Sequence, residues 1–419
     1  MNLKLPNIMK VLHNRSFSLL WTGQSISMFG LAIYITCLPF LVFRAGGSAT
    51  ELGLAHTFFI IPQLIFLLVS GVFVDRWPKK KILVISYFLR GLAVSGIAVL
   101  LLTDNLQLIH VYLLTGFLGL ISTLYRPAVR GITPQIVDKT QLLSANSLRA
   151  ISQQVSDMIG PVVGGFLVAA IGLYIAYTVN AITFLLSALF VSLIAIRSTK
   201  KKTEDTPTEK TTFWKDFTQG WSAIKKRPWL GASILIGSLS NIGIAAFDVI
   251  ILPVYADNSF NGVQTYGIFL AAMAIGALIC ATLIGRLERI SKRGILYYLF
   301  MALSGLFILG ISFTPPLLVS LLLLAAIGFC LTAFIIIWDS ATQELIEEEV
   351  LGRVVSFQMF GGLLLLPVGY SIFGFSLDKL GTTLSMSIAG VSIILVAALG
   401  LKNKKIRELD LWNYLLNVN

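Results

Sequence analysis

Asp75-Arg76-Trp77-Pro78-Lys79-Lys80-Lys81-Ile82-Leu83 joins the end of one apolar span to the start of the next. Glu288-Arg289-Ile290-Ser291-Lys292-Arg293-Gly294-Ile295-Leu296 does the same in the second half of the chain. In each copy an acid and an arginine precede a cluster of bases and a return to apolar residues. A second pair, Thr133-Pro134-Gln135-Ile136-Val137-Asp138 and Thr342-Gln343-Glu344-Leu345-Ile346-Glu347, recurs at the matching point with a slightly different offset. The chain reads as an internal duplication, and parallel repeats of this kind in a membrane chain point to a transporter.

Composition places the chain in a bilayer. Of its 419 residues 56% are hydrophobic and only 12% charged, and the mean hydropathy is +0.85, far from the balance of water-soluble domains. A helix needs about 20 apolar residues to cross about 30 Å of hydrocarbon, and twelve such runs stand between short polar breaks. They cover 17–43, 51–74, 82–103, 106–125, 148–170 and 172–196, then 231–256, 263–285, 295–313, 317–338, 353–375 and 382–401. The long runs without alternation exclude a membrane β-barrel. The expectation is an all-α integral membrane protein of twelve transmembrane helices in two pseudo-symmetric six-helix halves, 1–196 and 231–401. A cytoplasmic linker, 197–230, joins them, and a cytoplasmic tail, 402–419, follows. Phe213, Trp214, Phe217 and Trp221 recur at helical spacing in the linker, which predicts a short amphipathic helix at the membrane surface.

Charge sets the orientation. Of 32 lysines and arginines, only Arg44 and Lys379 fall in predicted outer loops, so both termini are expected in the cytoplasm and the protein in the cell membrane. The net charge of +12 sits beside helix ends, where topology and anionic headgroups account for it, and not on a separate basic face for nucleic acid. No cleavable signal peptide is expected, because Met1 to Phe17 is polar and basic and the first apolar run is too long for a signal core. Cys37, Cys280 and Cys330 lie inside spans, at spacings that fit neither a metal site nor a disulfide set, and are expected to pack. His13, His56 and His110 are scattered, and no glycine-rich loop ends in Gly-Lys-Ser/Thr. An enzyme, a nucleotide energy source and a cofactor are therefore not expected.

The chain resembles the major facilitator superfamily, and within it the macrolide-exporter type of drug:proton antiporter, over essentially its whole length. Gly71-Val72-Phe73-Val74-Asp75-Arg76-Trp77-Pro78-Lys79-Lys80-Lys81 is similar to the superfamily loop G-x-x-x-D-R-x-G-R-K-K, with Pro78 in place of the second glycine. Gly160-Pro161-Val162-Val163-Gly164-Gly165 in the fifth span is similar to the exporter signature G-P-x-x-G-G. Asn14-Arg15-Ser16-Phe17, Leu20-Trp21-Thr22-Gly23-Gln24 and Tyr125-Arg126-Pro127-Ala128 add weaker matches. The resemblance implies a major facilitator fold and a monomer that exchanges an amphipathic small molecule, macrolide-like or another drug, for protons across the lipid bilayer. A siderophore, a peptide antibiotic or a lysophospholipid is the alternative cargo; a membrane-embedded enzyme or a nontransporting receptor is the alternative from another class. It also assigns Gly71, Asp75, Arg76, Lys79, Lys80 and Lys81 to a gating loop, which Arg126 and Arg130 could join from the same inner surface. Topology signalling alone is the competing reading for the lysines and these two arginines. Gly160, Gly164 and Gly165 would permit close helix contact, and Pro161 a bend.

Charged groups within spans are costly, hence functional candidates. Asp248 lies well inside the seventh span and continues a polar stripe of Ser238, Asn241 and Tyr255; Gln24, Ser27 and Tyr34 form a comparable stripe on the first. The resemblance turns both stripes toward a substrate cavity. A carboxylate shielded from water binds protons more readily, which makes Asp248 the leading proton-coupling candidate and Asp157, one turn before Gly160, the second. A hydrated acid, or one that binds a cationic drug directly, is the competing reading of Asp248. Arg90, in the third span, is expected to snorkel to the inner interface or to pair with a carboxylate. His56 is expected to be a wet interfacial residue, and Glu347 to Glu349 to complement a helix N-terminus.

Overall fold

The computed structural model describes residues 9–195, 221–260, 262–287 and 290–403, which are helical apart from short turns and connections. In chain order the helices are α1 (Arg15–Arg44), α2 (Ala49–Arg76), α3 (Lys79–Leu102), α4 (Leu108–Ile136), α5 (Leu142–Ile171) and α6 (Leu173–Ser192). There follow α7 (Pro228–Ala246), a π-helical turn at Phe247–Ile251, α8 (Leu252–Ser259), α9 (Val263–Ile284), α10 (Arg293–Ser312), α11 (Leu317–Leu345), α12 (Glu348–Leu364) and α13 (Leu366–Lys402). Eleven stretches among the described residues are long and apolar enough to cross a membrane. The last of them, Val350–Lys402, runs for 53 residues and is interrupted at Gly381, whose φ of +77° is non-helical. At about 20 residues per crossing it accounts for two passages, and the total is twelve.

Helix ends differ from the hydropathy pattern for a physical reason. The predicted spans 106–125 and 317–338 follow apolar residues alone, whereas α4 and α11 continue to Ile136 and Leu345, each over 29 residues. Their last turns carry polar residues such as Arg130, Gln135, Gln343 and Glu344. Backbone hydrogen bonding continues where lipid contact ends. Both helices then stop at an extended residue, Val137 (φ −120°, ψ 140°) and Ile346 (φ −116°, ψ 130°), at the matching points of the repeat.

Contacts divide the chain into two compact units, 1–200 with 260–267 and 201–259 with 268–419. In the first, α3 packs on α6 and α4, α2 on α4, and α1 on α5 and α6. In the second, α10 packs on α13 and α11, and α7 on α13 and α12. Lipid supplies no hydrophobic drive between helices, so close contact at small residues becomes the main source of cohesion. A Cβ added at Gly91 would meet the Leu185 side chain of α6, and one at Gly305 the backbone of Gly390 in α13.

Polar stitches fix the helix ends of the first unit. Asn14 caps α1 by accepting from the Phe17 amide and donates to the Ile136 carbonyl at 2.6 Å. Ser16 donates to Ala195 O at 3.0 Å, and Lys80 Nζ to Ile194 O at 2.8 Å. Gly172, with φ +84°, makes the immediate turn from α5 to α6, a backbone conformation costly for other residues. In the second unit Ala223, Ile224, Trp229 and Leu230 share a core with Ala341, Leu345, Ile346 and Val354. Of the predicted amphipathic helix, residues 213–220 lie outside the described ones, and 221–225 are helical.

Candidate functional site

On α1, Gln24, Ser27 and Tyr34 are all buried. The Tyr34 hydroxyl shares a 2.7 Å hydrogen bond with Thr115 of α4, and its ring meets Tyr177 of α6 edge-on at 5.8 Å. On the second stripe, Tyr255 is buried, stacks on Phe269 and shares a 3.3 Å hydrogen bond with Ser320 of α11. Both tyrosines thus tie helices together within their own unit. Ser238 donates to the Ile234 carbonyl of its own helix, and Asn241 Nδ2 to Gly362 O of α12 at 2.8 Å.

Asp248 stands in the π-helical turn Phe247–Ile251. Such a turn inserts a residue into an α-helix, and it occurs often at functional sites. Phe247, Ile250 and Ile251 around it are buried, while Asp248 is partly exposed. Its carboxyl lies within electrostatic reach of Tyr370 on α13. Hydropathy shows the acid and not the turn, because nothing in the apolar pattern of Ile250-Ile251-Leu252 marks a change in hydrogen-bond spacing.

Asp157 is exposed near the middle of the 30-residue α5 and accepts a 2.7 Å hydrogen bond from Gln153 Nε2, one turn before it. A carboxylate at that depth in a span calls for water and not lipid around it. Next to it, Gly160 and Gly164 bring α5 against α1: a Cβ at Gly160 would lie 2.5 Å from that of Ala32, and one at Gly164 3.2 Å from Ile33 Cα. Gly165 meets Gly267 backbone to backbone, 2.7 Å from where its Cβ would be. Pro161 sits inside α5, which runs through it as one helix.

The loop expected to gate is described in part. α2 ends at Arg76, Trp77 is extended, and Pro78 precedes α3. The packing of Gly71, the side chains of Asp75, Arg76 and Arg126, and all of Glu288 and Arg289 lie outside the described set. Lys79 lays its stem over Gly131 of α4, Lys80 caps the end of α6, and Lys81 and Arg130 are exposed. The three cysteines are buried and free.

Two expectations are corrected, those for Arg90 and His56. Arg90 is 2% exposed and neither snorkels nor, among the described residues, pairs with a carboxylate. Its guanidinium lies over the rings of Tyr87, Tyr125 and Phe184 at 6.0, 5.3 and 5.8 Å, and Nη1 donates weakly to Ser27 at 3.4 Å. The third helix buries this face against α1, α4 and α6. His56 is buried, not wet. Glu347, which immediately precedes α12, pairs with Arg227, and Glu344 pairs with Arg293, so Glu347 does more than complement the dipole. Spacing within one helix cannot reveal partners this distant in sequence.

A profile of the Major Facilitator Superfamily matches residues 20–370. Macrolide efflux protein A of Streptococcus pyogenes is 23% identical over 405 residues, which cover 94% of this chain and 97% of that protein. The enterobactin exporter EntS of Shigella boydii is 23% identical, with 94% and 93% covered. Among solved structures, the nucleoside transporter NupG superposes with a TM-score of 0.69 at 14% identity, covering 93% of this chain and 100% of that one. A bacterial homologue of the iron transporter ferroportin gives 0.66 at 17% identity, covering 92% and 99%. These neighbours are transporters, and the protein is not an enzyme. With its twelve passages and a family match over most of its length, the chain belongs to the major facilitator superfamily.

Proposed function

We propose that this transporter exports amphipathic small molecules in exchange for protons by alternating access, with Asp248 as the coupling acid and Asp157 as the second candidate. The observation that carries the reading is a carboxyl in a π-helical turn of an otherwise apolar helix, partly exposed and within reach of Tyr370. A proton taken up there on one side and released on the other would be exchanged for cargo. At about 100 mV one proton supplies roughly 2.3 kcal/mol, about a fifty-fold electrical bias.

Gln24, Ser27, Ser238 and Asn241 are the polar groups we assign to the substrate path, and Asp75 with Arg76 to the gate. The proposed setting is the cell membrane, with the protein a monomer and both termini cytoplasmic, as the distribution of lysine and arginine favours. A macrolide-like cargo is supported by the name of the streptococcal relative. Cargo of the enterobactin kind, supported by the other relative, is the second reading.

The test is flux. Purified protein in sealed vesicles should accelerate movement of a radiolabelled macrolide when a pH gradient is imposed, relative to protein-free vesicles. Gradient-independent movement would remove proton coupling, and no movement of macrolide would move the cargo to the second reading.

A further inference from the structure

Arg90 stands apart from the coupling acids and the gate. It is a permanent cation halfway along α3 and 2% exposed, and among the described residues no carboxylate approaches it. Its Nε has no hydrogen-bond partner, and the 3.4 Å contact from Nη1 to Ser27 is at the limit of one. The three rings around it lie 5.3–6.0 Å from the charge, at the outer edge of useful cation–π distance, about 6 Å. They soften the burial of the charge without neutralising it. On α1, one turn before Ser27, the Gln24 amide nitrogen is likewise buried without a partner. Unused donors beside an uncompensated buried charge mark a place where an anion belongs.

We propose that Arg90 is the receiving group of a site, inside the N-terminal half, for the carboxylate of an amphipathic ligand. One positive charge matches a monoanion; a doubly charged phosphate would call for a second base, and none is described beside Arg90. A guanidinium edge offers parallel N–H donors to two in-plane oxygens, the geometry of a carboxylate. Ser27 and Gln24 lie on one face of α1 to complete the polar side, and the rings of Tyr87, Tyr125 and Phe184 form an apolar wall for the rest of the ligand. Tyr125 is the least buried of the three rings, which makes its side the entrance. The site deepens the export reading by naming the charge of a cargo or co-substrate, and it rests on that reading only for how the ligand arrives.

Binding tests it separately from flux. Thermal unfolding of the purified, detergent-solubilised protein should be followed against benzoate, benzyl alcohol and inorganic phosphate. Benzoate should raise the melting temperature saturably, whereas benzyl alcohol of the same shape and phosphate should not. Arg90→Gln should weaken the benzoate response at least tenfold. Arg90→Lys, which keeps the charge and loses the fork, should weaken it too and serves if the glutamine variant does not fold. A wild-type protein with no saturable benzoate response overturns the proposal whatever the variants do. So does a response to phosphate in preference to benzoate, or an undiminished benzoate response in either variant. Proton-driven macrolide export that persists beside a negative binding result would leave the transport reading standing and remove this site alone.

Discussion

Gly119 and Gly328 are counterparts: each stands at the same distance from the start of a 29-residue helix, α4 or α11, and each lies against a backbone carbonyl of a neighbouring helix. A Cβ at Gly119 would strike the Phe59 carbonyl of α2, and one at Gly328 the Met273 carbonyl of α9. The duplication read from two polar loops is therefore also written in how the helices touch. Gly91 and Gly305, equally placed from the starts of α3 and α10, also face neighbouring helices, Gly91 against the Leu185 side chain of α6 and Gly305 against the Gly390 carbonyl of α13.

A side chain at either glycine of the first pair must push two helix backbones apart. Gly119→Val and Gly328→Val should each cost about 1–3 kcal/mol, the usual range for overpacking a close contact. They should lower the thermal midpoint of the solubilised protein by similar amounts. Gly352, inside α12 where a Cβ would meet nothing within 4 Å, serves as the control, and its alanine variant should be at least as stable as wild type. A Gly119→Val protein as stable as wild type would mean that α2 and α4 do not meet there.

The Arg227–Glu347 pair is asymmetric, with the arginine side chain 10% and the glutamate 58% exposed. Removing the acid strands a buried charge, whereas removing the base leaves a carboxylate that water can serve. Glu347→Gln should therefore destabilise the protein by about 1–2 kcal/mol, below the 3–5 typical of fully buried pairs because one partner is solvated. Arg227→Met should cost less. Equal losses in the two variants, measured by thermal unfolding, would contradict the asymmetry.

Span number, the repeat and the close glycine contacts of α5 were legible in the sequence because each is carried by local composition or by a motif. What was not legible depends on which way a helix turns. The charge of Arg90 was visible, but its burial against α1, α4 and α6 arises from helices far away in sequence. The partners of Tyr34 and Tyr255 are likewise on other helices. The π-helical turn at Asp248 is a matter of backbone hydrogen bonding, to which hydropathy is blind.

Orientation has a direct test. Single cysteines introduced at Thr206 and at Asn419, in a background lacking Cys37, Cys280 and Cys330, should react with a membrane-impermeant maleimide only after the cells are opened. A cysteine at Gly46, in the turn after α1, should react in intact cells. Labelling of position 206 from outside would reverse the proposed topology.

Asp248→Asn separates proton coupling from cargo binding. Asparagine keeps the size and the polar end of the side chain in the Phe247–Ile251 turn but cannot carry a proton through the transport cycle. In vesicles, export against a concentration gradient driven by imposed pH and potential should be lost. At about 100 mV this removes the roughly fifty-fold bias that one proton supplies. Downhill movement of a neutral cargo should continue, because alternation no longer needs a titrating passenger. Binding affinity, measured on the same protein, decides between two roles for the acid. Intact affinity with lost uphill transport is the signature of coupling, whereas a matching loss of affinity for cationic cargo makes Asp248 a binding group. Should Asp248→Asn still drive uphill export, the coupling proton travels elsewhere, and Asp157, exposed near the middle of α5 beside Gln153, becomes the residue to neutralise next.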